Sequence, residues 1–153
     1  MKIMNALASE AVNENLLSKD RDGVLRELAS LIISPENKEK LDQLVSVLIT
    51  REELGSTGIG GGVAIPHGKS KEIKGIKIAF GRSRGGIDFN SIDGEPVDLF
   101  FLLLAPENSA GEHLKTLAKV SRLLKSPSFC QSLRNAKSRQ ETVDIIAAED
   151  EQV

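Results

Sequence analysis

A chain of 153 residues with 20 basic against 22 acidic side chains, a net charge of -2, carries no basic stripe for a nucleic-acid backbone, and 3% aromatic content supplies no stacking platform. With 40% hydrophobic and 27% charged residues it has the composition of one ordinary globular domain, long enough to bury a core that the lack of Trp and Tyr makes aliphatic. No apolar run approaches the roughly 18 residues that span a bilayer, and the one in MKIMNALAS is too short for a signal-peptide core, so neither nucleic acid nor membrane insertion is expected.

Val24, Leu25, Leu28, Ala29 and Ile32 recur at helical spacing and predict a first helix over residues 22–33, which Ser34-Pro35 stops while capping the next. In SPENKEKLDQLVSVLITREELG a stripe of Leu41, Leu44, Val45, Leu48 and Ile49 predicts a second helix ended by Gly55, with Arg51 in its last turn. Beyond a glycine-rich stretch, VAI (63–65) reads as a short extended piece fixed by Pro66, so His67 emerges just past a strand. IKGIKIAFGRS alternates Ile76, Ile78 and Phe80 with Lys77 and Ala79, the period of a half-buried strand, while Arg84-Gly85-Gly86 and Asp93-Gly94 read as turns. VDLFFLLLA (97–105) is apolar on both faces, as a central strand covered by helices is.

Ser109 and Glu112 have capping-box spacing and predict a helix with a stripe of Leu114, Leu117, Ala118, Ser121 and Leu124, placing His113 in its first turn. Ser126-Pro127 opens a short helix, Ser138 with Glu141 boxes a last one through Ile146, and the acidic tail EDEQV is expected to fray. The lone Cys130 sits in an apolar helical pattern and has no partner for an intramolecular disulfide, so a buried thiol in a reducing compartment, the cytoplasm, is expected. Helices, then strands, then helices around one continuous apolar strand predict an α/β sandwich, a central mixed β-sheet flanked by helices. It forms a single domain over residues 1–153 with an ordered core of about 5–148.

The chemistry concentrates in GSTGIGGGVAIPHGKS (55–70), which holds six of the 13 glycines and one of the two histidines. Backbone so poor in side chains can curl its N–H groups around an anion. Gly68-Lys69-Ser70 imitates the end of a Walker A motif, but the glycine that motif needs is Val63 here, and a dinucleotide fingerprint fails at the same residue. ATP and NAD are therefore disfavoured. What remains is a phosphate cradle of Thr57, Gly58, Ile59, Gly60, Gly61 and Gly62 that delivers His67, whose imidazole is a competent phosphoryl nucleophile when neutral; the plainer alternative is a loop histidine that caps a strand.

His113, at a helix N-terminus, is discouraged from protonating and so presents a neutral donor to a phosphate oxygen, though it could equally be a satisfied surface residue. Sites in α/β sheets collect beyond strand ends, so the two imidazoles can converge. Arg51 can cap its own helix and still lean over the loop, while Lys69 and Lys71 read as solvated charges that steer an anionic donor.

The segments TREELGSTGIGGGVAIPHGK (50–69), FNSIDGEPVDLFFLLLAP (89–106) and HLKTLAKVSRLL (113–124) closely resemble enzyme IIA of the mannitol/fructose type in the bacterial phosphoenolpyruvate phosphotransferase system, most of all its nitrogen-regulatory branch. The likeness covers essentially the whole chain and is weakest over the first 20 residues and the acidic tail. It implies an α/β sandwich in which a histidine phosphocarrier protein phosphorylates His67, His113 contacts the phosphoryl group and Arg51 shares the pocket, with no metal and no cofactor. It further implies regulated protein targets such as kinases or potassium transport regulators. Three other readings stand beside it. One is a sugar IIA passing phosphate to a separate IIB, from which the lack of a IIB or membrane segment distinguishes this chain only weakly. The second is an interaction module that is not phosphorylated. The third is a metal site of His67, His113 and Cys130, whose spacing matches no zinc pattern.

Overall fold

The computed structural model describes residues 2–152. After a 3-10 turn at Ile3–Asn5, the chain runs β1 (Leu7–Asn13), α1 (Arg21–Ala29), α2 (Lys38–Leu54), β2 (Gly58–Gly60), β3 (Val63–Ala64), β4 (His67–Lys69), β5 (Lys77–Ile87), β6 (Val97–Ala105), α3 (Ala110–Leu123), α4 (Pro127–Asn135) and α5 (Arg139–Gln152). Six strands form one open sheet in the order β1-β5-β6-β3-β2, with β4 also paired to β6. β1 runs parallel to β5, and β3 and β4 run parallel to β6, whereas β5–β6 and β2–β3 are antiparallel. The sheet is mixed, as the order of elements predicts.

Adjacent side chains on a strand leave by opposite faces, and β5 shows which helices cover which. A Cβ at Gly81 would lie 2.7 Å from Leu28 of α1, so that face belongs to α1 and its neighbour α2. On the other face Arg82, 1% exposed, closes the end of α4: Nη1 donates to the carbonyls of Leu133 and Ala136, both at 2.8 Å, and Nε donates to Glu14 O at 2.9 Å. Between the layers, β6 buries every residue from Leu99 to Ala105, and Phe101 packs edge-on to Phe80 with ring centroids 4.9 Å apart. The continuous apolar run at 97–105 is a central strand covered on both sides.

Several boundaries differ from expectation for local reasons. Leu7–Asn13 is a strand that the sequence pattern did not reveal. The first helix ends at Ala29, short of residue 33, and is capped by Asp20, whose side chain accepts from Gly23 N; Asn37 rather than Ser34 precedes α2. Arg84-Gly85-Gly86 is not a turn but the bulged end of β5, with Gly86 at φ 74° where the register to β6 shifts. Ser109 makes no capping bond, and its hydroxyl donates to Pro106 O. Ser126 does cap α4, accepting from Phe129 N, and Ser138 accepts from Glu141 N while Glu141 takes Lys137 N.

Through Gln152 the acidic tail does not fray, and Val153 lies outside the described residues. α5 continues to Gln152, and Asp150, 1% exposed, accepts from the amides of Ile3 and Met4 at 3.0 Å each and pairs with Lys119 of α3 at 2.8 Å. The packed body therefore extends past both edges of the expected 5–148 core, with Ile3 fully buried.

Candidate functional site

Pro66 ends the pairing of β3, and its carbonyl accepts from Leu103 N at 2.9 Å, so β4 begins at His67 opposite Leu103. At Gly68 a Cβ would stand 3.1 Å from Val47 and 3.4 Å from Leu48, which seats β4 tightly on α2. Alternation then turns His67 to the other face, where α3 presents His113. The two ring centroids lie 5.5 Å apart with the planes inclined at 54°. His67 Nδ1 is 2.8 Å from Ile65 O, and since a carbonyl only accepts, the ring proton sits on Nδ1 and Nε2 keeps its lone pair.

The surroundings of both rings favour the neutral form. Burial pushes the His67 pKa below the ordinary imidazole value and the Arg51 charge adds to this, against the opposing pull of the Ile65 carbonyl and of Glu52. His113 is lowered by burial first, then by His67 and Lys69. It is 7% exposed, and its Nε2 is buried without a hydrogen-bond partner. His113 does fall in the first turn of α3, and of the expected stripe Leu124 is buried and Leu117 packs against the core, but the rest of the face is rotated. The buried face is His113, Thr116, Val120 and Leu123, while Leu114 is 64% exposed. Two polar residues on the core side hid that face from a count of apolar residues.

Arg51 occupies the last turn of α2, as expected, and its Nη1 donates to Gly55 O at 2.7 Å. It thus caps its own helix while its charge reaches His67.

The glycine loop is built differently from the expected cradle. Gly58, Ile59 and Gly60 form β2 of a tight hairpin with β3, and Gly60, Gly61 and Gly62 turn it at φ 93°, 68° and 80°. The amide of Gly61 donates to Asp93 and its carbonyl accepts from Arg134, which also pairs with Asp98. Gly62 O accepts from Asp98 N and Leu99 N, whereas His67 faces Leu103, so the hairpin tip and the imidazole are separated along β6 by roughly 16 Å of strand rise. Thr57 is nearer, but Glu52 takes both its amide and its hydroxyl, and Gly58 N donates to Ser56 Oγ. Of the expected site residues, the glycines form the hairpin turn, the His67 and His113 rings meet, and the Arg51 charge acts on His67.

Glu52, 5% exposed beside this trio, was not picked out by sequence reasoning. The signal was present: it lies four residues after Leu48, on the extension of the α2 apolar stripe, where an acid is out of place. Cys130 lies near Arg134 and Asp98, not with the histidines, and among the described residues no three His, Cys, Asp or Glu side chains gather as metal ligands.

Two imidazoles 5.5 Å apart, with the Arg51 charge acting on one of them, lie at one edge of an open mixed sheet and make this an α/β domain with a paired-histidine site. Residues 5–149 match the family described as phosphoenolpyruvate-dependent sugar phosphotransferase system, EIIA 2, and the chain belongs to it. A nitrogen regulatory protein of Bradyrhizobium diazoefficiens is 40% identical over 149 residues, 96% of this chain and 95% of that protein. The crystal structure of nitrogen regulatory protein IIA-Ntr from Neisseria meningitidis superposes with a TM-score of 0.86 at 35% identity, covering 94% of this chain and 98% of that one. The fructose-specific EIIABC component of Bacillus subtilis is 34% identical over 150 residues, 98% of this chain but 24% of that larger protein. No helix among the described residues is long and apolar enough to cross a membrane.

Proposed function

We propose that His67 accepts a phosphoryl group on Nε2 from the phosphohistidine of a histidine phosphocarrier protein, and that its phosphorylation state regulates which cytoplasmic proteins the chain binds. The targets would be kinases or potassium transport regulators in nitrogen-linked control. The observation that carries the reading is the Nδ1 hydrogen bond to Ile65 O, which leaves Nε2 as the nucleophilic nitrogen, 5.5 Å ring to ring from His113. The Nε2 lone pair attacks phosphorus, the P–N bond of the donor breaks, and its electron pair returns to the donor ring. The transition state is loose, so positioning and charge stabilisation supply most of the catalysis. His113, neutral and with Nε2 unsatisfied, gains a partner when a phosphoryl oxygen arrives, and Arg51 offsets the added charge.

Family membership and the likeness to two nitrogen regulatory proteins support the regulatory version. The likeness to a fructose-specific component favours a second reading, in which phosphate passes on to a separate IIB. Incubation with phosphoenolpyruvate, enzyme I and a phosphocarrier, followed by mass spectrometry, tests the shared step. One acid-labile phosphoryl group is expected, and none on His67→Ala; an unmodified wild-type chain would refute the reading. Passage of that group to a purified fructose IIB would favour the sugar version, and a partner retained from lysate by only one phosphorylation state would favour regulation.

A further inference from the structure

Glu52 follows Arg51 in sequence and differs from it in surroundings. Arg51 reaches along the helix end to Gly55, whereas Glu52 turns inward and is 5% exposed. A buried carboxylate is costly unless its oxygens are satisfied, and nothing in the α2 stripe calls for one there. Its oxygens are taken by Thr57: Oε2 accepts the amide at 2.9 Å and Oε1 accepts the hydroxyl. Thr57 in turn offers its carbonyl to Ile65 N at 3.1 Å, and the Ile65 carbonyl accepts from His67 Nδ1 at 2.8 Å. Ile65 is also restricted from its other side, because it precedes Pro66. One unbroken line of hydrogen bonds therefore joins the buried acid to the ring nitrogen opposite the reacting one.

We infer that Glu52 is a positioning residue: through Thr57 and Ile65 it holds the carbonyl that keeps the His67 proton on Nδ1 and presents the Nε2 lone pair to the phosphoryl donor. The catalytic half of this statement rests on the phosphoryl-acceptor reading of His67; the tautomer half does not. Only a carboxylate suits the place, since it accepts from both Thr57 donors at once, while a glutamine has a single acceptor oxygen and must confront one donor with its own NH2. The charges of Arg51 and Glu52 from α2 act on the His67 ring, and His113 from α3 stands 5.5 Å from it, so replacing Glu52 alters charge as well as geometry. Thr57 separates the two effects: Thr57→Val removes the hydroxyl link and leaves the charge, and Thr57→Ser keeps both.

The test is nitrogen-resolved NMR of the histidine side chains, which distinguishes protonated from bare ring nitrogens, combined with the rate of phosphorylation by enzyme I and phosphocarrier. Wild type and Thr57→Ser are expected to show a single His67 tautomer with the proton on Nδ1. Glu52→Gln and Thr57→Val are expected to show mixed tautomers and phosphorylation slowed about tenfold, with unchanged circular dichroism. A merely structural tie between α2 and the hairpin would leave the tautomer alone. A folded Glu52→Gln with one Nδ1–H tautomer and the wild-type rate overturns the inference; should that variant not fold, Thr57→Val decides by the same two readouts. Failure of wild type to be phosphorylated would sink the functional reading instead, and the tautomer comparison would still judge Glu52.

Discussion

His67 and His113 face each other at 5.5 Å between ring centroids, one ring anchored through Nδ1 and the other with Nε2 buried and unpartnered. The unsatisfied buried Nε2 of His113 is a cost that a bound oxyanion would remove. If His113 donates to the phosphoryl group, losing that charge-assisted bond costs roughly 1.5 to 3 kcal/mol, a fall of about 10- to 150-fold in transfer rate. His113→Ala is expected to show that fall in a timed phosphorylation assay, and His113→Gln, which retains a donor, is expected to recover part of it. Equal rates for all three proteins would remove His113 from the reaction.

Both imidazoles are also sensors of acidity, because each has its pKa lowered by folding. Below their unfolded value, about 6.5, the unfolded chain takes up protons that the folded chain resists, so stability rises with pH through that window and levels off above it. Lowering the pH from about 7 to about 5.5 is expected to reduce the urea midpoint of wild type and to reduce that of His113→Gln less. A midpoint that is constant over this range, or falls equally in both proteins, would contradict the neutral buried pair. Asp150 acts at lower pH: its carboxyl lies below the usual value despite burial, because Lys119 and the Met4 and Ile3 amides favour the charged form, so its contribution is lost only as pH drops below about 4.

The same aspartate joins the two ends of the chain to the helix that carries His113. Removing one partner of a buried ion pair costs about 3 to 5 kcal/mol, and here two backbone amides lose their acceptor as well. Asp150→Ala is expected to lower the thermal midpoint by roughly 6 to 20 °C for a domain of this size, measured by calorimetry. A shift of only a degree or two would mean that the chain ends contribute little to the fold.

What was legible in the sequence is what is encoded locally. The run at 97–105 gave its strand, the stripe through Leu48 gave its helix, and Pro66 marked the end of the extended piece at 63–65, each through neighbours a few residues apart, whereas the strand that His67 itself begins has no such local signal. β1 was hidden because Leu7–Asn13 is an edge strand with an irregular burial pattern, and its partner lies some seventy residues on, through a register shift between Leu7 and Val12. His113 is legible by residue type, yet the face of α3 is legible only in part: Leu117 and Leu124 lie on the core side, but Thr116 and His113 also turn inward while Leu114 turns out. Arg82 could not be anticipated: its burial is explained by the carbonyls that end α4 and by that of Glu14, which tertiary packing brings to it.

The glycine run was legible as special backbone, and whether it serves the turn alone or the phosphate as well can be measured. A Cβ at Gly61 would meet nothing within 4 Å, so Gly61→Ala suffers only from its positive φ, about 1 to 2 kcal/mol. At Gly62 the added carbon would stand 2.7 Å from Arg134 Nη2 and 2.8 Å from Asp98 Oδ1, so Gly62→Ala must also push that ion pair apart and is expected to be the more destabilising of the two. Because the hairpin tip is far along β6 from His67, both variants should be phosphorylated at the wild-type rate while folded, despite their lowered urea midpoints. A sharp loss of phosphorylation in Gly61→Ala at nearly unchanged stability would instead return the loop amides to the phosphate site.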